Sequence, residues 1–170
     1  MLFDILLGSP IVEKRMKVNS REAVRAVILK GDKILLIHSN KGDYKFPGGG
    51  VEQNEMHVEA LLREIREETG YVNCIVKEKV GIVVERNTDQ FEENTYFQMT
   101  SHYYLCELIT DKKIIQKLDD YEHEQQFTPK WITIDMAIEE NRKLMNLPDM
   151  NKWIEREILV LEELKRNLIS

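Results

Sequence analysis

Three glutamates, Glu64, Glu67 and Glu68, crowd the short run "REIREETG", and three adjacent glycines, Gly48, Gly49 and Gly50, stand ahead of them in "FPGGGVE". On a helix, residues three and four apart are surface neighbours, so Glu64 faces both Glu67 and Glu68. Carboxylates this close repel one another, and near a helix C-terminus they also oppose the macrodipole. Arg63 and Arg66 offset part of that charge. A hard divalent cation offsets more, because it accepts several oxygen ligands arriving from one direction. Glycines before the helix let the backbone approach such a ligand closely and offer it carbonyl or amide groups. The competing reading is a solvated acidic helix face, which leaves both the clustering and the glycines unexplained.

These residues need a helix to hold them, and the flanking sequence predicts one over about 55–69. Asn54 stands where an N-cap belongs and Gly70 where a C′ glycine ends a helix. At about 100° per residue, Val58, Leu61, Leu62 and Ile65 share one arc, and the three acids form a second arc roughly 120° away. Ala60 falls in the acidic arc one turn earlier and leaves space there for a ligand. Upstream, "AVRAVILKGDKILLIHS" reads as two antiparallel strands around a Gly31-Asp32 turn. Downstream, "VNCIVKEKVGIVVER" and "TYFQMTSHYYLCELI" read as long strands joined by the acidic loop "NTDQFEEN". "FTPKWITID" is a last strand and "DMAIEENRKL" opens a helix. Trp153, Ile154, Ile158, Leu161, Leu164 and Leu168 recur at helical spacing, a stripe for core packing or for a homodimer. The pattern predicts an α+β domain with helices packed on a mostly antiparallel or mixed sheet.

A chain of 170 residues with 42% hydrophobic and 32% charged residues suits one globular domain. The net charge of -6 argues against a broad basic surface for extended nucleic acid and favours a small substrate. Cys74 and Cys106 lack metal-binding spacing and read as buried free thiols of a reducing, cytoplasmic compartment. The opening "MLFDILLGSPIVEKR" fails as a signal peptide, since Asp4 interrupts its apolar run and the first basic residue is Lys14. It is expected to be a strand or packing arm. No run approaches the roughly 18 apolar residues a membrane span needs.

From Gly49 the chain reads glycine, five residues, Glu55, seven residues, then "REIREETGY". This resembles the Nudix box of the Nudix hydrolases at Gly49, Glu55, Arg63, Glu64, Ile65, Glu67, Glu68 and Gly70. Tyr71 replaces the aliphatic residue expected after the last glycine. The resemblance implies a Nudix fold, a mixed sheet sandwiched between helices, with a core over roughly 20–140, an N-terminal arm over 1–19 and a C-terminal helix over roughly 148–168. It also implies hydrolysis of a nucleoside diphosphate linked to another moiety, with Mg2+ or Mn2+ as cofactor. By position Glu64, Glu67 and Glu68 are metal ligands with the Gly49 carbonyl, while Arg63 and Glu55 hold helix and loop in place. The alternative is a module of the same fold that senses a nucleotide without turning it over.

Beyond the box, some family members use a separate glutamate as general base. "DDYEHEQQFTPKW" offers Glu122 and Glu124, with Glu124 slightly ahead and Glu68 of the box as the alternative. Arg25 interrupts an apolar strand and either reaches substrate phosphate or faces a carboxylate or solvent. Phe46, Tyr44, Tyr96 and Phe97 are candidates to stack a base, against the ordinary reading of strand aromatics as core.

Overall fold

In the computed structural model, which describes residues 1–9 and 15–168, the Gly31-Asp32 turn joins the two β-rich runs into a hairpin. Lys17–Lys30 (β2) meets Lys33–His38 (β3) with Leu29 opposite Ile34. Two short strands follow, Tyr44–Lys45 (β4) on β3 and Gly48–Gly50 (β5) on β2. After the helix His57–Thr69 (α1) come the long antiparallel strands Cys74–Thr88 (β6) and Thr95–Leu108 (β7). The opening segment is a strand, Phe3–Gly8 (β1), parallel to β6. Residues 10–14 of the expected N-terminal arm lie outside the described residues. A short helix, Asp120–Glu124 (α2), which the sequence pattern did not indicate, precedes Thr128–Thr133 (β8) on β3. Ile134–Leu144 (α3) and Ile154–Leu168 (α4) complete the chain. The strand order β1-β6-β7-β2-β3-β4, with β2 parallel to β7, makes the sheet mixed.

Alternation along β2 divides the core into two layers. Val24, Ala26 and Ile28 face α1, which packs Ala60, Leu61 and Ile65 onto them together with Leu35 and Cys106. Val27 faces the other way, into a larger core of Ile34, Leu36, Tyr103 and the inner faces of α3 and α4. The sheet is therefore sandwiched between helices, as expected. The C-terminal stripe resolves as core, with Ile154, Ile158, Leu161 and Leu164 buried and Leu168 exposed. Cys106 is buried, whereas Cys74 is only half-buried, so the expectation of two buried thiols holds for one. No helix among the described residues is long and apolar enough to cross a membrane.

Three local expectations change in α1. The helix starts at His57, not at 55, because Glu59 Oε2 accepts from Met56 N–H at 3.0 Å and caps the first turn, while Asn54 sits before it at φ 63°. Val58 and Leu62 are exposed, and Glu68 is wholly buried. Ala60 is packed against the sheet and so leaves no ligand space. Gly70 does end the helix, at φ 82° with its N–H on Arg66 O.

α4 also anchors the loop that precedes the glycines. Fully buried Glu157 accepts from Phe46 N–H at 2.9 Å and pairs with Arg156 at 2.6 Å, which in turn reaches Glu85 at 2.8 Å. Glu157→Ala leaves the buried Arg156 with Glu85 as its acid partner and the buried Phe46 amide without its acceptor, and is expected to cost about 3 kcal/mol in urea denaturation. A loss under about 1 kcal/mol would show that the network is not what holds α4 to the sheet.

Candidate active site

Strand β5 lies on β2, with Gly49 opposite Val24 and Gly48 opposite Arg25, and this pairing presses the glycine run against α1. A Cβ on Gly49 would stand 2.5 Å from Glu64 Oε1, so only a hydrogen there lets the carboxylate rest on the loop backbone. Gly48, at φ 148°, donates its N–H to Glu68 Oε1 at 3.1 Å, and a Cβ there would meet Val24 O at 2.0 Å. Gly49→Ala leaves the backbone allowed but displaces the Glu64 carboxylate. It is expected to lower turnover more than about tenfold with a melting shift under about 3 °C, read by calorimetry beside a rate assay.

Arg63 ties loop to helix. Its Nε and Nη2 make a two-pronged pair with Glu55 at 2.8 and 2.9 Å, and Nη2 also donates to Gly50 O at 3.1 Å. Its Nη1 donates to Glu64 at 2.8 Å and to Glu67 at 3.4 Å. The hydrogen bonds from Arg63 hold the Glu55 carboxyl down to about 2. Lys45, which the sequence reading missed, reaches in from β4 and places Nζ 2.9 Å from Glu68 Oε2. Burial pushes Glu68 up to about 7, with Glu64 and Glu122 adding to the rise and Lys45 opposing it. Burial likewise raises Glu64, against the pull of Arg63. Glu67 remains a quarter exposed beside an open groove of about 570 Å3.

Of the two loop candidates, the structure brings Glu122 to the cluster and leaves Glu124 out. Glu122 is buried, bonds Asp119 N–H at 2.8 Å and adds to the negative field at Glu68. Glu124 is exposed, and its backbone carbonyl accepts from Asn40. Gln116 fastens this loop, donating to Glu68 O at 2.5 Å and Phe127 O at 3.1 Å. Tyr121, half-exposed at the rim, is an aromatic the sequence reading did not single out, and its phenol is raised by burial and by Glu122, Glu68 and Glu64.

The remaining candidates fall elsewhere. Arg25 is buried and donates to Gly48 O at 3.1 Å, so it braces the loop, while its Nε is buried with no hydrogen-bond partner among the described residues. Phe46 cannot stack a base, because it is wholly buried edge-on to Tyr103 at 5.3 Å. Tyr44 is buried too, packed on His38 at 4.5 Å with its backbone bonded to Asn141. Phe97 pairs with Asn19, six residues along the β2–β7 ladder from Arg25, and Tyr96 lies one residue further. That is about 20 Å from the loop.

Oxygen donors from Glu64, Glu67 and Glu68, beside the close-lying Gly49 backbone, form the hard donor set that suits Mg2+ or Mn2+. Lys45 and Arg63 counter only part of that charge. Comparison with known proteins bears on the arrangement. A family model described as the NUDIX domain matches residues 19–156. Over 79 residues the chain is 39% identical to an ADP-ribose pyrophosphatase of Methanocaldococcus jannaschii, a stretch covering 44% of this chain and 46% of that protein. It is 24% identical to the protein named Nudix hydrolase 12, mitochondrial, of Arabidopsis thaliana, covering 95% of this chain and 76% of that one. Its fold is similar to that of a UDP-X diphosphatase, with a TM-score of 0.55 at 21% identity over 87% of this chain and 64% of the other.

Proposed function

We propose, on the premise that this chain belongs to the Nudix family, that it hydrolyses the pyrophosphate bond of a nucleoside diphosphate linked to a second moiety. The observation that carries the reading is the Glu64 carboxylate lying on the Gly49 backbone, with Glu67 and Glu68 beside it on α1. ADP-ribose is the first substrate to test, because it is the one in the name of the M. jannaschii relative. In the proposed reaction water adds at one phosphorus, the P–O bond of the bridging oxygen breaks, and two phosphomonoesters leave.

Glu64, Glu67, Glu68 and the Gly49 carbonyl would hold Mg2+ or Mn2+. Bound there, the ion screens the phosphate oxygens and lowers the pKa of a coordinated water. Arg63 keeps Glu64 in place through contacts that also clamp Glu55 and Gly50. Lys45 keeps buried Glu68 ionised more readily than burial alone allows. Glu122 is our choice for the group that takes the proton from water, with Glu68 as the second choice. Tyr121, half-exposed and near enough to Glu122, Glu68 and Glu64 to feel their charge, is our choice for a ring that touches a substrate, in place of Tyr44 and Phe46. A cytoplasmic location and small-molecule partners belong to the same proposal. So does a single domain over 1–170, supported by β1 and α4 sharing one core through Phe3 and Leu161.

The test incubates metal-stripped protein with ADP-ribose, UDP-sugars, dinucleoside polyphosphates and nucleoside triphosphates, with Mg2+, Mn2+ or EDTA. Phosphomonoester release with either metal and its loss of more than about a hundredfold in EDTA are expected. Binding without turnover across the panel would instead support a sensing module.

A further inference from the structure

Glu22, His57 and His102 meet at the rim of the α1–sheet interface. Their ligand atoms all lie within 4.8 Å of one another. Glu22 and His102 sit on the face of β2 and β7 that α1 covers, each two strand positions from a packed residue, Val24 and Tyr104 respectively. His57 is the first residue of α1. Glu22 Oε1 is 3.1 Å from His102 Nε2, Glu22 Oε2 is 3.4 Å from His57 Nε2, and the two imidazole rings are 4.5 Å apart.

We propose that Glu22, His57 and His102 form a second metal site, separate from the acidic one, that takes Zn2+ or a chemically similar transition ion. Zinc bonds imidazole nitrogen and carboxylate oxygen at about 2.0–2.2 Å in a tetrahedron, so its ligands stand about 3.3 Å apart. Each histidine is 3.1 or 3.4 Å from one or other Glu22 oxygen, and with the group held within 4.8 Å a small rotamer adjustment would bring the set to that spacing. Two imidazoles with one carboxylate favour zinc, cobalt or nickel over magnesium, whereas the glutamate site on the same helix offers hard oxygens. The Tyr104 hydroxyl lies 2.8 Å from His57 Nδ1 and can hold the proton on that nitrogen, which leaves Nε2 free to ligate. Burial lowers the pKa of His102, favouring the neutral form that binds metal. Lys79, 6.0 Å from the Tyr104 ring centre, opposes a bound cation and limits affinity. Three protein ligands leave a fourth position for water, and the ion would clamp the first turn of α1 to two strands.

Metal-stripped protein titrated with Co2+ should develop the visible absorption band of a tetrahedral site at one equivalent, and Zn2+ should displace it. Added Zn2+ should also raise the melting temperature by about 5 °C at saturation. Histidine ring resonances of the parent protein report without any substitution, and those of His57 and His102 should shift on Zn2+ addition while His38 and His123 stay still. His57→Gln and Glu22→Gln should each weaken Zn2+ binding at least about tenfold, and Glu67→Gln should leave the cobalt band intact. No band in the parent, unmoved His57 and His102 resonances, or a band lost in Glu67→Gln but kept in His57→Gln would overturn the assignment.

Discussion

Glu67→Gln is expected to reduce turnover of the best substrate more than about tenfold while moving the melting temperature by less than about 2 °C. Both halves follow from where the side chain sits. Its side chain is a quarter exposed and its ion pair to Arg63 is long at 3.4 Å, so its loss from the fold is a surface effect. Its carboxylate nevertheless stands beside Glu64 on the helix face that meets the glycine loop, where an ion-binding oxygen would be removed. The neighbouring Glu68 could not be used this way. It is wholly buried against Lys45, and its replacement would strand that charge at a cost of about 3–5 kcal/mol. Steady-state rates and calorimetry on Glu67→Gln therefore separate chemistry from folding, and a parent-like rate would remove the metal site from α1.

What the sequence disclosed and what it withheld divide along the range of the interactions. Gly70 was readable because a left-handed C-terminal residue is a local demand on the backbone. The helix start was misplaced, because Asn54 is a good cap by type, whereas Glu59 does the work from inside the helix. Lys45 carried no local signal. Its partner Glu68 is 23 positions later, and only the folding of β4 against α1 makes a buried lysine tolerable. Tyr44 and Phe46 were misread for the same reason. Their backbones are fixed by Asn141 and Glu157, about 100 residues downstream, which turn both rings inward. The Glu22, His57 and His102 group draws on three separate elements and had no spacing to betray it.

The two loop glutamates form the sharpest remaining contrast. Residues two apart on a helix point about 200° away from each other, so α2 can aim only one of Glu122 and Glu124 at the acidic cluster. The buried one is Glu122, and its charge is felt at Glu68. Glu122→Gln is therefore expected to lower kcat by on the order of a hundredfold, with the loss shrinking as pH rises and hydroxide replaces the missing base. Glutamine keeps an acceptor oxygen for the Asp119 N–H, so the turn of α2 should survive the exchange and the effect should be chemical. Glu124→Gln, an exposed change, should stay within about twofold of the parent. Measuring kcat against pH for both variants decides the assignment. Collapse in Glu124→Gln with a normal Glu122→Gln would move the base to Glu124, and normal rates in both would return the proton to Glu68, whose carboxyl burial has pushed up to about 7.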